Sequence, residues 1–252
     1  DMKAVILAGG RGSRLSELTH SLPKPLIRIN GTPILMHIIN HLRKFGIKDF
    51  IICTGYLGHH IKDYFLNYQN HNTDIKIDFS NKKVTLLKDL KLDFSVTCID
   101  TGLDTQTGSR IKLIEKYLNE RFLLTYGDGV ADVDVKKLIK SHEKSNKLAT
   151  VTSVPTPGRW GNINIANNKI KDFTEKPTQT TDFINGGFFI LEPKILDFIK
   201  KGNKNLKWEK EILELIVKKK QLNPYIHKGL WKAVDTINDK EELENILLKK
   251  KI

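Results

Sequence analysis

The sequence predicts an α/β protein built on a doubly wound, mostly parallel sheet. Three observations predict it. Short apolar runs alternate with amphipathic segments from Lys3 to Val154, the pattern of strands joined by crossover helices. Several runs end in glycine-bearing turns, at Gly9-Gly10, Gly55-Tyr56 and Gly127-Asp128-Gly129. The 252 residues are 39% hydrophobic and 28% charged, which suits one large folded domain with a substantial core.

The elements follow in order. Lys3–Ala8 is too short an apolar run for a helix and reads as a buried strand. Thr32-Pro33 opens a helix, with Thr32 as N-cap and Pro33 in the first turn. Its apolar stripe is Ile34, Ile38, Leu42 and Phe45, and it ends near Gly46. Asp49–Cys53 is the next strand, and Gly58–Tyr68 a helix with Ile61 and Phe65 inward. Ile75–Phe79 and Lys83–Leu87 flank Asn81-Lys82 as a hairpin. Val96–Ile99 is a strand, Gly108–Leu118 a helix, Phe122–Tyr126 a strand, Asp134–Ser145 a helix and Ala149–Val154 a strand. The remainder changes character. Asn162–Ile165, Ile170–Phe173 and Phe183–Leu191 are strand-like and suggest a small antiparallel appendage over the site. Pro193–Lys200 and Trp208–Lys220 read as helices, Tyr225–Val234 as extended chain and Asp239–Leu248 as a last helix. No linker or repeat divides residues 2–252, so 2–154 and 155–252 are two parts of one domain. Asp1, ahead of Met2, is set aside.

Composition excludes several classes. The net charge is +13, from 42 basic and 29 acidic residues. The lysines are scattered, with short runs at Lys218–Lys220 and Lys249–Lys251, and describe a solvated surface. No basic helix interleaved with aromatics is present, so no nucleic-acid partner is expected. No stretch approaches the roughly 18 apolar residues of a membrane span, and no secretory leader pattern opens the chain. Cys53 and Cys98 lie in strand-like runs and read as reduced core residues of a cytoplasmic protein. His37 and His41 have helical spacing but no third ligand nearby, and read as a polar helix face.

The chemistry concentrates in Lys3–Arg14. After the strand, Gly9, Gly10 and Gly12 let the backbone turn sharply and approach a ligand closely. Successive N–H groups in such a loop form an anion-binding concavity. Arg11 and Arg14 add fork-shaped cations suited to phosphate oxygens. The prolines of Pro23-Lys-Pro25 limit where the Lys24 ammonium can go. No Gly-Lys-Ser or Gly-Lys-Thr follows, so this is not a Walker A loop, and the dinucleotide glycine spacing is incomplete. Asp128 lies between two glycines at a strand end, where metal and phosphates can come close. Asp132 and Asp134 better suit helix capping. Asp235 ends an extended run just before a helix and is the best candidate for a second carboxylate, with an ordinary N-cap as the alternative.

Ala8-Gly-Gly-Arg-Gly-Ser-Arg-Leu15 with Pro23-Lys-Pro-Leu26 resembles the signature of the sugar-1-phosphate nucleotidyltransferases. Asp100-Thr-Gly102, Thr107-Gly-Ser-Arg110 and Thr125-Tyr-Gly-Asp-Gly-Val-Ala-Asp132 resemble its glucose-1-phosphate cytidylyltransferase branch. So do Pro157-Gly-Arg159, Glu175-Lys-Pro177, Asn185-Gly-Gly-Phe-Phe189 and Gly229-Leu-Trp231 with Asp235-Thr236. The resemblance implies a Rossmann-like sheet with a sugar-binding appendage, and cytidylyl transfer from CTP to a sugar 1-phosphate with Mg²⁺. It implies that Leu7, Ala8, Gly9, Gly10, Arg11, Gly12, Ser13, Thr105, Arg110 and Gly127 hold the nucleotide. Arg14 would stabilise the leaving pyrophosphate, Lys24 would neutralise charge near the α-phosphate, and Asp128 and Asp235 would hold Mg²⁺. Glu175 and Lys176 would grip the sugar phosphate, and Asn185, Gly186 and Trp231 would line the sugar pocket. A homo-oligomer is implied as well. Arg11, Ser13, Leu103-Asp-Thr-Gln106 and Gly161-Asn-Ile-Asn164 depart from the branch pattern. Two alternatives stand beside this reading: another nucleotide or acceptor, and a catalytically silent nucleotide-binding regulator on the same fold.

Overall fold

Apolar residues on both faces of the first strand place it inside the protein. In Lys3–Ala8, Ala4, Ile6 and Ala8 join one buried cluster and Val5 and Leu7 the other. A strand reads as a continuous apolar run when helices cover both sheet faces. The computed structural model describes residues 2–156, 162–166, 169–174 and 182–250.

The central sheet has eight strands. They are β1 (Lys3–Ala8), β2 (Asp49–Thr54), β3 (Ser95–Asp100), β4 (Phe122–Tyr126), β5 (Ala149–Pro155), β6 (Phe183–Asn185), β7 (Phe189–Leu191) and β8 (Leu222–Ile226). One half is parallel, in the order β4-β1-β2-β3. In the other half, β7 joins β4 to β5 by antiparallel pairing, β6 pairs with the far end of β5, and β8 runs parallel to β5. The sheet is therefore mixed, with helices and small antiparallel sheets around it.

The chain leaves β1 for β2 on one side and returns to β4 on the other. This reversal of winding opens a crevice at the carboxyl ends of β1 and β4, where open α/β sheets bind ligands. Register aligns those ends, with Leu7 opposite Tyr126 and Ala8 opposite Thr54.

The main helices are α1 (Ile34–Arg43), α2 (Gly58–Leu66), α3 (Thr107–Leu113), α4 (Val135–Ser145) and α5 (Ile237–Lys250). α1 buries Ile34, Ile38 and Leu42 as its spacing predicts. Its start is corrected by one residue. Thr32-Pro33 pairs with Arg28–Ile29 in a short antiparallel ladder, so Pro33 becomes the N-cap and Thr32 caps nothing. Asp134 caps α4 by accepting from the Lys137 N–H at 3.0 Å.

Several expected elements are shorter. The Gly58–Tyr68 helix stops at Leu66, and the Gly108–Leu118 helix becomes α3 plus a 3₁₀ turn at Glu115–Tyr117. Pro193–Phe198 is 3₁₀, and Trp208–Ile212 is a π-turn running into the α-helix Leu213–Lys218. The expected strand Phe183–Leu191 breaks at Gly186-Gly187, and its halves, β6 and β7, enter the central sheet. The appendage strands are thus Asn162–Ala166 and Lys169–Thr174, an antiparallel pair of their own.

The described core holds one buried polar knot away from the crevice. His142 on α4 is 1% exposed. Its Nδ1 lies 2.8 Å from Thr150 Oγ1 and its Nε2 3.1 Å from Glu192 Oε1. Burial lowers its pKa, against the opposing pull of Glu192. Burial also lowers that of His41, whose Nε2 lies 2.8 Å from the Val133 carbonyl. For both rings the folded pKa falls below the unfolded one, so the folded state binds fewer protons. Stability is present above the ordinary value near 6.5 and is lost as pH falls through the lowered values. Urea midpoints should therefore drop between pH 7.5 and pH 5.5, and His142→Gln should flatten that drop. An unchanged pH slope in His142→Gln would contradict the assignment.

Candidate active site

The glycine-rich loop leaves β1 and its geometry is set from two sides. A Cβ on Gly9 would overlap the buried Arg110 guanidinium and force it to shift. Gly12 has φ +62°, the left-handed region that glycine enters without strain. Gly10 meets neither constraint, with open space where a Cβ would stand. The loop then passes through the turn Ser13–Leu15, which carries Arg14.

Asp128 and Asp235 come together through a second small sheet. Gly129–Ala131 pairs antiparallel with Trp231–Ala233, and the Val234 N–H donates to the Asp128 carbonyl at 2.9 Å. The register sets Asp235 just past that bond, beside the end of β4. Its side chain does not cap α5. Thr236 and Asp239 do so reciprocally: Asp239 N–H donates to Thr236 Oγ1 at 3.1 Å, and Thr236 N–H to Asp239 Oδ2 at 3.0 Å. This capping box frees the Asp235 carboxylate for the crevice. Asp239 also accepts the Asp235 N–H at 3.1 Å and pairs with Lys232 at 2.7 Å. Sequence reasoning missed Asp239, although Thr236-x-x-Asp239 is the pattern that signals such a cap.

Lys24 is the centre of the cluster. Its Nζ lies 2.8 Å from Asp235 Oδ1 and 3.2 Å from Asp128 Oδ2. Arg14 Nη1 holds the other Asp235 oxygen at 2.9 Å. The Lys24 side chain is 10% exposed and Arg14 73% exposed. Lys24 is thus an interior charge and Arg14 a largely solvated one, and both pair with Asp235. Two carboxylates and two cations at a strand edge suit a charged, oxygen-rich ligand. The two carboxylates are hard oxygen donors of the kind that bind Mg²⁺ together with phosphate.

A cleft of about 470 Å³ opens over this cluster, within the range of small-molecule sites. Its walls include Leu7, Ala8, Gly9, Gly10, Arg11, Gly12, Ser13, Arg14, Lys24, Thr105, Arg110, Gly127, Asp128 and Asp235. All the expected nucleotide and metal residues therefore converge on one cavity. Asp104 and Tyr126 join them without having been foreseen. Arg11 reaches across to Asp104 at 3.2 Å.

Arg110 sits differently from a simple ligand contact. It is 4% exposed. Nη1 donates to Thr101 Oγ1 at 2.6 Å, Gly102 O at 2.7 Å and Thr54 O at 3.2 Å. Nη2 donates to Gly9 O at 3.0 Å. One guanidinium therefore ties together the loops that follow β1, β2 and β3. Burial lowers its pKa, opposed by Cys53 and Asp100.

The expected sugar-side residues also meet. Trp231 Nε1 donates to the Gly186 carbonyl at 2.8 Å. Asn185 Nδ2 donates to Tyr126 Oη at 3.1 Å, which links this group to the end of β4. Glu175, Lys176 and Pro157-Gly-Arg159 lie outside the described residues. His37 bonds the Ile29 carbonyl at 3.0 Å and His41 that of Val133, so neither ring faces the cleft.

Residues 3–250 match the family described as nucleotidyl transferase. This chain belongs to the nucleotidyl transferase family. Among its relatives is the glucose-1-phosphate cytidylyltransferase of Salmonella typhimurium, 43% identical over 97% of this chain and 95% of that protein. The probable glucose-1-phosphate cytidylyltransferase of Bacillus subtilis is 39% identical over 97% of this chain and 96% of that protein. The fold is that of a crystallised UDP-glucose pyrophosphorylase, with TM-score 0.71 at 21% identity, covering 100% of this chain and 99% of the other. The matched span, residues 3–250, contains every wall residue of the cleft described above.

The bonding of Arg110 generates a test. A lysine there presents three donors from one nitrogen and cannot reach carbonyls on three loops. Arg110→Lys should destabilise the fold by about 2 kcal/mol in urea titration, because buried carbonyls lose their partners. Nucleotide KM should rise with it. Unchanged stability with a raised KM would mean that Arg110 acts on the ligand alone.

Proposed function

We propose that this nucleotidyl transferase moves a cytidylyl group from CTP to glucose 1-phosphate, forming CDP-glucose and pyrophosphate. The observation that carries the reading is the Lys24 ammonium held between Asp128 and Asp235 under the glycine loop. The near full-length similarity to glucose-1-phosphate cytidylyltransferases supplies the base and the sugar.

In this reading a sugar-phosphate oxygen attacks the α-phosphorus of CTP in line, that P–O bond forms, and the bond to pyrophosphate breaks. The attacking group is already anionic, so no strong general base is required. The chain supplies position and charge. Backbone N–H groups of Gly9–Ser13 cradle the triphosphate. Lys24 stabilises charge that grows on the α-phosphoryl oxygens, and Arg14 swings from Asp235 onto the pyrophosphate. Bound by Asp128 and Asp235, Mg²⁺ would add positive charge to the triphosphate. Among the described residues no group of three or more His, Cys, Asp and Glu side chains could hold a metal by itself. Mg²⁺ typically takes one or two protein carboxylates and fills its shell with phosphate and water. Glu175 and Lys176 grip the sugar phosphate, and Asn185, Gly186 and Trp231 face the sugar.

Cytosine differs from uracil by an exocyclic amine in place of a carbonyl. The loop Gly102–Thr107 is our candidate for reading that difference. A mismatched base leaves buried polar groups unpaired, which supports strong discrimination. We place the protein in the cytoplasm as a homo-oligomer. Its two cysteines are free, as in a reducing compartment, and burial holds the Cys53 thiol up at about 12. No helix of the described residues is long and apolar enough to cross a membrane. Exposed Ile77, Phe79, Val84 and Leu87 at the Ile75–Asp78 and Lys83–Leu86 hairpin suit a partner surface.

The test is a matrix of four nucleoside triphosphates against several sugar 1-phosphates, with Mg²⁺ present or chelated, read as pyrophosphate release. CTP with glucose 1-phosphate should be fastest, and chelation should abolish turnover. Asp128→Asn and Asp235→Asn should each lower kcat by about 100-fold, as when one electrostatic stabiliser is removed. Faster release with UTP at equal subsaturating concentration would overturn the base assignment. Near-normal turnover of a folded Asp128→Asn protein would overturn the metal site.

A further inference from the structure

We infer that Glu209 is a positioning residue that couples the nucleotide side of the cleft to the sugar side. The inference rests on reading the cleft as the nucleotidyl transfer site. Glu209 stands in the π-turn Trp208–Ile212. Such turns are uncommon and recur at functional sites. Trp208 anchors this one: it is fully buried, edge-on to Phe189 of β7 at 5.6 Å, and donates its backbone N–H to Thr107 Oγ1 at 2.9 Å.

Both oxygens of Glu209 receive a hydroxyl from a residue lining the cleft. Tyr126 Oη donates to Oε1 at 2.7 Å, and Thr107 Oγ1 donates to Oε2 at 2.8 Å. Thr107 opens α3 two residues after Thr105. Tyr126 ends β4 immediately before Gly127-Asp128. The chain of bonds continues from Tyr126. Its hydroxyl accepts from Asn185 Nδ2 at 3.1 Å, and Asn185 Oδ1 accepts the Gly187 N–H at 2.9 Å.

The direction of this chain is forced. The Gly187 N–H fixes the Asn185 amide with its oxygen inward, so the amide nitrogen must donate to Tyr126. Tyr126 has one hydrogen, which is left for residue 209. Thr107 already accepts from Trp208 and likewise spends its one hydrogen on residue 209. Two hydroxyl donors converging on one side chain require an acceptor at both ends, which an ionised carboxylate alone provides. Glu209 thereby sets the Tyr126 ring, the Asn185 amide and the start of α3 relative to one another.

Glu209→Gln separates this role from simple packing. The amide keeps the shape but offers one oxygen and one NH₂, so whichever way it lies one hydroxyl loses its acceptor. Glu209 is exposed, and the variant should keep the wild-type Tm. The assay uses whichever nucleotide and sugar phosphate the wild-type enzyme turns over. Glu209→Gln should lower kcat/KM for the sugar phosphate about tenfold, the size of one charge-assisted hydrogen bond. Tyr126→Phe should lower it similarly. The double variant should be no worse than the worse single one, because Gln then serves Thr107 alone. Loss of less than twofold in Glu209→Gln, or multiplicative losses in the double variant, would overturn the inference. If the wild-type protein turned over no pair, the transferase reading would fall by itself. The same cycle would then be read on triphosphate affinity by calorimetry, with the same two overturning results.

Discussion

The site depends on one buried ammonium. Lys24 is taken out of water, which costs several kcal/mol for an unpaired charge, and two carboxylates must meet it there. Each carboxylate is delivered by a different device. Asp128 follows a central parallel strand, and Asp235 is brought back across the chain by the short pairing of Gly129–Ala131 with Trp231–Ala233. The Thr236-Asp239 cap starts α5 at the right residue, so that Asp235 points inward instead of closing the helix. Removing either device would leave Lys24 with one carboxylate partner instead of two. That constraint explains why so much of the C-terminal part is spent on holding one aspartate.

The same logic governs the loops. A reversal in strand order opens the crevice, but by itself it leaves several loops at the strand ends, each free to move. Arg110 ties three of them through oxygens of Gly9, Thr54, Thr101 and Gly102. Glycine at position 9 is the counterpart of that arrangement, since a side chain there would displace the guanidinium. The cluster combines a buried cation, Lys24, with an exposed one, Arg14, which suits a reaction in which charge moves from substrate to leaving group.

Much of this was legible in the sequence where the signal is local. The strand and glycine loop of Lys3–Arg14, Lys24 between prolines, and Asp128 between glycines each announce themselves within a few residues. The alternation of strands and helices gave the parallel half of the sheet. What was not legible depends on pairings between distant segments. Thr32 looked like a helix cap because its pairing with Ile29 cannot be read from composition. Phe183–Leu191 looked like one appendage strand, whereas the break at Gly186-Gly187 sends both halves into the main sheet. Asp235 remained open between cap and ligand, and the positions of Thr236 and Asp239 take the cap away from it. Glu209 carried no signal at all, since its partners Tyr126 and Thr107 are 83 and 102 residues away.

The central claim is that this cleft transfers a nucleotidyl group, attacked at its α-phosphorus, to a phosphorylated sugar. The most direct measurement follows that atom. CTP carrying radioactive phosphorus at its α position is incubated with glucose 1-phosphate and Mg²⁺, and the products are separated. The account predicts label in a nucleotide sugar and none in pyrophosphate. Label appearing as free CMP, or remaining wholly in CTP while the sugar phosphate is consumed, would contradict it.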